Sequence, residues 1–469
     1  MSTGPSNKKA LKSGIWYTAS NFFVRSIGFI TTPIFTRLLT KAEFGDYNNF
    51  ASWLSIVTIV VTLNLEATLI SARFDYKDNF DEYIFSSLSL SSISVFVWFT
   101  VVNLFPSVFT KWMDMDLTYI NAMLLYLLFL PAVNQFQARE RYRYEYKMTV
   151  LSSVIVSLGT TVVSVVMVVS MKDRLFGRII GSVIPTILVG AIFFGFFVRK
   201  GKRIRPKYWK YALPLCLPFI PHLLSLNMLH TMDRIMITKW CGSEDTAVYS
   251  LAYTCGSLIT LLMTSMNSAY SPWLGDKLNK DERSEVRKFS KPYIFAFAFC
   301  AVGVMAIAPE ILLILGSKGY SEAKYVMTPI AAGCVCQFLY TLFVNVEQFK
   351  KKTVGMAFAS MTAALVNLVL NWIFIPRFGY LAAAYTTLAG YLVLLAIHMA
   401  LVHRIKYSDV YDYKLIICVV AVMLVIMVLI TLLYKLTLIR YIFVGLYAAV
   451  CVLIFIKYKS KVLGFLKKK

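Results

Sequence analysis

The sequence contains little charge and no long polar segment. Only 15% of its 469 residues are charged, whereas 58% are hydrophobic. Apolar stretches of about 18 residues or more recur along the whole chain, and a soluble protein could not bury them all. In lipid the backbone groups must be hydrogen-bonded within the protein, and stretches this long and evenly apolar achieve that as helices. The composition therefore argues against a soluble protein and predicts an all-α polytopic membrane protein.

The sequence also lacks the usual signs of catalysis and of metal binding. It has no nucleophile motif and no glycine-rich phosphate loop, and its 8 cysteines show neither metal-site spacing nor a disulfide framework. No outer connection is long enough to hold a glycan acceptor, which argues against a membrane glycosyltransferase or polymerase. We therefore expect a protein that is not an enzyme and that uses no cofactor and no metal.

The charge that is present is mostly basic. Lys and Arg number 48 against 24 Asp and Glu, a formal charge of +24 that in a soluble protein would suggest nucleic acid. With the N-terminus placed inside, most basic residues fall in the cytoplasmic connections, as the positive-inside rule requires. We therefore expect both termini in the cytoplasm, contacts with anionic lipids and no nucleic-acid partner. A reporter fused to residue 469 tests this orientation, because an external C-terminus would contradict it.

The apolar stretches predict about 14 transmembrane helices. Their limits are about 13–39, 44–70, 83–104, 117–138, 148–171, 175–198, 211–240, 245–271, 291–315, 325–349, 353–375, 379–402, 413–434 and 437–456. The first stretch is too long for the apolar region of a signal peptide, and no small-residue cleavage site follows it. We expect it to be a retained first helix.

An internal repeat divides most of these helices into two sets of six. Residues 43–47 and 245–249 share an acidic, small and Tyr pattern, and Arg-Leu-Phe-Gly at 174–177 resembles Arg-Phe-Gly at 377–379 with the same offset. Because six is an even number, both copies cross the membrane in the same direction. An axis along the membrane normal would then relate them. We predict an N-terminal lobe at 1–198, a basic cytoplasmic linker at 199–210, a C-terminal lobe at 211–405, and two extra helices with a basic tail at 406–469.

Charged side chains inside the predicted helices are candidates for function, because charge is costly in a membrane. Arg25 lies near the middle of the first helix, close to Asn21, and a guanidinium matches phosphate oxygens well. Asp233 and Arg234 follow Asn227 in the seventh helix; as sequence neighbours they point about 100° apart and need other partners. Glu66 lies in the second helix.

Two further acidic residues have simpler explanations. Glu347 precedes Lys350 and Lys351 and suits a helix-surface ion pair. Glu310, just after Pro309, suits the start of a helix.

Proline is concentrated in one predicted helix. Pro214, Pro218 and Pro221 interrupt the seventh, and Pro33 lies in its repeat partner, the first. Each proline removes a backbone donor and bends a helix. These positions are candidate hinges of a cavity that opens and closes; static kinks that aid packing are the alternative.

Several motifs together resemble the Wzx-type polysaccharide flippases. DRIMI at 233–237, followed by AVYSLAY at 247–253, is similar to their "D-R-hydrophobic…G-x-Y-x-x-A-Y" stretch. NLVLN at 367–371, followed by IPRFG at 375–379 and AAA at 382–384, is similar to their "N-x-x-L-N…I-P-x-x-G-x-x-G-A-A" run, with Ala382 in place of the usual glycine. The segment 38–47 resembles their first outer turn.

The resemblance implies the multidrug/oligosaccharidyl-lipid/polysaccharide exporter superfamily. The implied fold is two six-helix lobes in a V with two additional helices. The implied function is translocation of an undecaprenyl-diphosphate-linked oligosaccharide to the outer leaflet of a bacterial inner membrane by alternating access, for O-antigen, capsule or a related polysaccharide. A glycan polymerase and chain-length machinery are implied partners. A cation-coupled multidrug exporter of the same superfamily and a lipid II flippase are the alternatives.

The resemblance also implies a cationic cavity. Arg25 and Arg234, with Asn21 and Asn227 nearby in the chain, are the residues we match to substrate binding. Glu66 or Asp233 would couple transport to a proton or a sodium ion.

Overall fold

The structure, a computed structural model, describes the backbone of residues 7–143 and 145–467. Side chains are described over the same ranges except at 7–15, 17–19, 21, 25, 353, 455 and 458–467. Every regular element in the described part is helical, which confirms the predicted fold class. The helices are α1 Asn7–Leu38, α2 Lys41–Val61, α3 Leu69–Asp75, α4 Phe80–Leu104, α5 Pro106–Met113, α6 Leu117–Tyr142, α7 Tyr146–Ser170, α8 Arg174–Gly201, α9 Pro206–Cys216, α10 Phe219–Cys241, α11 Ser243–Asn279, α12 Arg283–Ala306, α13 Ala308–Gly316, α14 Ala323–Phe349, α15 Thr353–Phe378, α16 Tyr380–Arg404, α17 Tyr413–Leu433 and α18 Thr437–Lys467.

Among the described residues, 11 helices are long and apolar enough to cross a membrane, and 13 if each of two bent pairs is one span. The predicted first helix coincides with α1, which is continuous through Pro33. The total of about 14 spans remains a prediction.

The seventh predicted helix is broken where its prolines lie. α9 ends at Cys216 and α10 begins at Phe219, directly after Pro218, with a bend of 51° between them. The preceding irregular segment is shorter than the predicted linker, because α8 extends to Gly201 and α9 begins at Pro206.

The second predicted helix is also broken, which the sequence did not indicate. α2 ends at Val61, a short 3-10 turn covers Leu65–Thr68, and α3 follows at a bend of 50°. Leu63 and Asn64 between them both have positive φ angles, 57° and 46°.

The chain divides into two compact units. The first comprises the chain up to Ser250 together with Ala364–Ala383. Its most extensive helix packing is between α7 and α8, where a Cβ on Gly181 would lie 2.3 Å from the Ser164 Cα and one on Gly177 would lie 2.8 Å from the Met167 carbonyl oxygen. Helices in lipid associate largely through such close packing, since burial from water no longer drives them together.

The second unit comprises Leu251–Ala363 and Ala384–Lys469. Here Arg440 of α18 donates to both carboxylate oxygens of Glu310, at 2.5 and 2.7 Å, and to the Ala306 carbonyl at 3.1 Å. Glu310 is therefore more than a helix start: it attaches α18 to α13.

Glu347 does not form the surface ion pair expected with Lys350 or Lys351. Its side chain is buried, and its Oε1 lies 2.7 Å from the Nδ1 of buried His398 on α16. The sequence offered nearby lysines, but the helix turns Glu347 toward the interior of the second unit.

Candidate functional site

The strongest candidate site in the first unit centres on the carboxylate of Asp233. The Asp233 side chain is fully buried. Tyr249 donates its hydroxyl to Oδ2 at 2.5 Å, and Asn371 donates its amide to Oδ1 at 2.6 Å. Asn371 also donates to the Asn367 Oδ1 at 3.2 Å. Three helices, α10, α11 and α15, thus contribute to one polar cluster, which we call the Asp233 cluster.

Local sequence explains how these residues meet. Gly242, with φ of 95°, ends α10 and reverses the chain into α11, so that α11 runs back beside α10. A hydroxyl–hydroxyl bond of 2.7 Å between Thr238 and Thr246 joins the two helices near the turn, and Asp233 meets Tyr249 further along. Asn367 and Asn371 are four residues apart and therefore lie on one face of α15.

Tyr249 and Asn371 are both neutral donors to the Asp233 carboxylate. A buried carboxylate is costly unless hydrogen bonds or a cation compensate it, and hydrogen bonds to a charged acceptor are stronger than neutral ones. Carboxylate, amide and hydroxyl oxygens are also the ligands of hard cations. No group of three or more His, Cys, Asp and Glu in the described part of the chain could hold a metal ion. A carboxylate with hydroxyl and amide groups around it is a ligand set that a proton or a hard cation can use.

Arg234 and Asn227 lie on the same helix, α10, outside the Asp233 cluster. Arg234 is half-buried, and its Nη1 donates to the His230 carbonyl at 3.4 Å. Asn227 accepts a hydrogen bond of 2.6 Å from the Ser55 hydroxyl of α2 and another of 3.0 Å from Thr231. Asn227 is therefore already a link between α2 and α10.

The other predicted substrate residues, Arg25 and Asn21, have side chains outside the described part of the structure. Glu66 is separate from Asp233: it lies just after the break in α2, in a polar pocket with Asn134 and Arg141. The structure thus brings Asp233 together with residues that the motifs contained, Tyr249 and Asn371, and does not join it to Glu66.

Sequence reasoning missed Arg178. Its guanidinium carbon lies 3.6 Å from the ring centre of Phe35 and 4.2 Å from that of Tyr47, a double cation–π contact. Its Nε and Nη1 are buried without a hydrogen-bond partner among the described residues. Arg178 falls in the first turn of the sixth predicted helix, close to its outer end, and was not among the charged residues singled out from the sequence.

The repeat motif at 43–47 marks a close contact between α2 and the start of α11. The Asp46 carboxylate accepts a hydrogen bond from the Ser243 hydroxyl. A Cβ on Gly45 would lie only 1.7 Å from the Ser243 carbonyl oxygen, so any larger residue would force the two helices apart. Under the predicted orientation this contact lies at the outer side of the membrane.

The chain matches two family models. The model described as "Polysaccharide biosynthesis protein" matches residues 10–278, more than half of the chain, and the MatE model matches residues 218–373.

Two curated relatives are similar to it. "Lsg locus putative protein 1" of Haemophilus influenzae is 22% identical over 350 residues, covering 72% of this chain and 84% of the relative. "Probable low-salt glycan biosynthesis flippase Agl15" of Haloferax volcanii is 21% identical over 171 residues, 36% of each chain.

A solved structure shares the fold. "Lipid II flippase MurJ, inward closed conformation" superposes with a TM-score of 0.68 at 14% identity, covering 96% of this chain and 100% of that one. With a family model that spans more than half of its length, and in agreement with the motifs at 233–253 and 367–384, the chain belongs to the polysaccharide biosynthesis protein family.

Proposed function

We propose that the protein moves an undecaprenyl-diphosphate-linked oligosaccharide from the cytoplasmic to the outer leaflet of a bacterial inner membrane by alternating access. The observation that carries this proposal is the polysaccharide biosynthesis match on a chain in which 11 to 13 of the described helices could cross a membrane. A relative named as a glycan biosynthesis flippase supports the same activity. The glycan would serve O-antigen, capsule or a related polysaccharide, with a polymerase and chain-length machinery as partners.

In this proposal the cationic residues hold the diphosphate. Arg25 and Arg234 bind its oxygens with the fork geometry of guanidinium groups, and Asn21 and Asn227 add amide contacts. The polyprenyl tail stays in lipid. Pro33, Pro214, Pro218 and Pro221 are the positions at which the helices bend during the cycle.

The coupling ion binds at Asp233. We choose Asp233 over Glu66 because its carboxylate accepts hydrogen bonds from two other helices, through Tyr249 of α11 and Asn371 of α15. A proton or a sodium ion at Asp233 displaces these donors or shares their oxygens, and this changes the contacts that join α10, α11 and α15. Ion binding is thereby linked to helix position.

Complementation in the source cells tests the proposal. Cells that lack this gene should accumulate a lipid-linked glycan on the cytoplasmic leaflet, and the wild-type gene should clear it. Arg25→Ala and Arg234→Ala should fail to clear it while reaching the membrane in normal amounts. Arg404→Ala, an exposed arginine at the end of α16, is the matched control and should behave as wild type. Full clearance by both arginine variants would contradict the diphosphate site.

Two alternatives make different predictions for the same cells. The MatE match favours a cation-coupled drug exporter; loss of the gene would then raise sensitivity to cationic drugs without accumulation of a lipid-linked glycan. A lipid II flippase would make the loss lethal through failure of peptidoglycan synthesis.

A further inference from the structure

A polar pocket opens beside the break in α2, within the first unit. Six polar or aromatic side chains define it, and we call it the Glu66 pocket: Asn64, Glu66, Asn134, Gln137, Arg141 and Tyr142. Its volume is about 300 Å³, which is at the lower end of the range for small-molecule sites. It therefore has room for part of a glycan rather than for a whole oligosaccharide.

The backbone at the pocket is held in an unfavourable conformation. Leu63 and Asn64 adopt φ angles of 57° and 46° in succession. Asparagine tolerates this left-handed region, but leucine rarely adopts it. Neither proline nor glycine occurs at the break, so no residue there prevents a continuous helix. A strained segment of this kind persists where the surrounding structure uses it, and here it places Glu66 in the pocket.

The charges of the pocket balance. Glu66 supplies one carboxylate, and both the Asn134 amide and the Arg141 guanidinium interact with it. Arg141 is exposed, whereas Glu66, Asn134 and Gln137 are half-buried. A diphosphate calls for an excess of cations and a cationic drug for an excess of carboxylates. The Glu66 pocket offers neither excess.

The remaining polar groups both donate and accept hydrogen bonds. The side-chain NH2 group of Gln137 donates a hydrogen bond to the Ser152 hydroxyl at 3.2 Å. The side-chain carbonyl oxygen of Gln137 takes no part in this bond. Amides present two donors and one acceptor oxygen, and a carboxylate accepts only. Sugar hydroxyls, which donate and accept at once, match such a set. Tyr142 adds an aromatic ring. The guanidinium carbon of Arg73 lies 4.7 Å from the centre of that ring.

We propose that the Glu66 pocket binds sugar hydroxyl groups of the lipid-linked glycan, separately from the diphosphate. The inference rests on the proposed function. Under the predicted orientation, the end of α2 and the end of α6 lie at the cytoplasmic side, where a flippase receives the glycan. The pocket selects for the sugar, and the arginines hold the diphosphate that all such lipids share.

Binding to the full-length protein in nanodiscs tests the pocket with two probes. One is the undecaprenyl-diphosphate glycan that accumulates in source cells lacking this gene, and the other is undecaprenyl diphosphate without sugar. Glu66→Gln and Asn134→Leu should each weaken binding of the glycan lipid about tenfold, the expected result of losing a hydrogen bond to a charged group. Both should bind undecaprenyl diphosphate within about twofold of wild type, which also shows that they are folded.

The matched control is Asn103→Leu. Asn103 is an exposed residue at the C-terminal end of α4. Its side-chain amide and that of Asn121 donate to each other, and neither residue lines the pocket. It should leave both affinities unchanged. Equal weakening of both probes by the pocket variants, or no weakening of either, overturns the pocket. If no lipid-linked glycan accumulates in the deletion cells, the proposed function itself fails, and the pocket proposal fails with it.

Discussion

Asp233 is the residue that we propose couples transport to an ion. It is fully buried and held by Tyr249 and Asn371, so a change of its charge alters bonds to two other helices. Asp233→Asn preserves the size of the side chain but removes the charge that a proton or sodium ion neutralises. We expect the variant to fold but to lose the acceleration of transport by an ion gradient. Its transport rate under a gradient should fall by about tenfold or more, the scale of one hydrogen bond to a charged group. Transport into liposomes with and without a gradient measures this.

The control for Asp233 is Thr238→Val in the same helical hairpin. It removes the 2.7 Å bond to Thr246 without touching the carboxylate. Its gradient dependence should match that of wild type. If Asp233→Asn still responds fully to the gradient, coupling occurs elsewhere, and Glu66 becomes the remaining acidic candidate.

Glu310, in the short helix α13, gives a pH dependence of stability. Arg440 donates to both of its carboxylate oxygens, and the guanidinium charge favours the ionised carboxylate. Because the ion pair needs the charged carboxylate, its stabilisation is present at neutral pH and is lost when Glu310 is protonated at low pH. Arg440→Ala should cost about 1–3 kcal/mol at pH 7, toward the lower end because Glu310 is partly exposed.

Thermal unfolding in detergent measures the Glu310 contribution. The difference in Tm between wild type and Arg440→Ala should shrink toward about pH 3, below the ordinary Glu pKa of about 4.3. Lys435→Ala, an exposed basic residue near the start of α18, should change Tm little at either pH. A difference that is independent of pH would contradict the role of the ion pair.

At the residue scale, the sequence indicated which charges lie in the membrane but not their partners. Asp233 and Arg234 were expected to need partners other than each other, and Asp233 has Tyr249 and Asn371. Tyr249 and Asn371 belonged to recognised motifs, yet only folding brings them from 16 and 138 positions away onto one carboxylate. The pairing of Glu347 with His398 could not be read from the sequence for the same reason, since nearby lysines offered a local partner.

At the scale of helices, α7 and α8 depend on glycine at their contact. A side chain at Gly181 has no space, because its Cβ would lie 2.3 Å from the backbone of Ser164. Gly181→Val should destabilise the protein by about 1–3 kcal/mol or more, the usual cost of overpacking. Gly195→Val in the same helix is the control, since nothing lies within 4 Å of its Cβ position. Tm values that fall equally for both variants would show that helix propensity, not packing, is responsible.

Helix breaks differed in how well the sequence predicted them. The break between α9 and α10 follows from proline, because Pro218 cannot donate a backbone hydrogen bond and bends the chain. The break after α2 carries no such signal: Leu63 and Asn64 take left-handed conformations that tertiary structure imposes. Only the bend between α9 and α10, which proline causes, was predictable from the sequence.

At the scale of the whole molecule, hydropathy and the motif resemblance were sufficient for the fold class and the family. Lengths of apolar sequence predicted a helical membrane protein because lipid leaves the backbone no alternative. The family match over residues 10–278 and the structural similarity to a lipid II flippase confirm this fold and family. The substrate could not be obtained in this way, since recognition depends on cavity side chains from distant parts of the chain.

Reconstituted transport tests the central claim most directly. The lipid-linked glycan would be purified from deletion cells and labelled on its sugar. It would be placed in one leaflet of liposomes that contain the purified protein, and the appearance of the labelled sugar on the other leaflet would be measured. The account predicts exposure that requires the protein and is lost in Arg234→Ala but retained in Arg404→Ala. Absence of exposure, together with ion-driven efflux of cationic dyes from the same liposomes, would contradict it and identify a drug exporter.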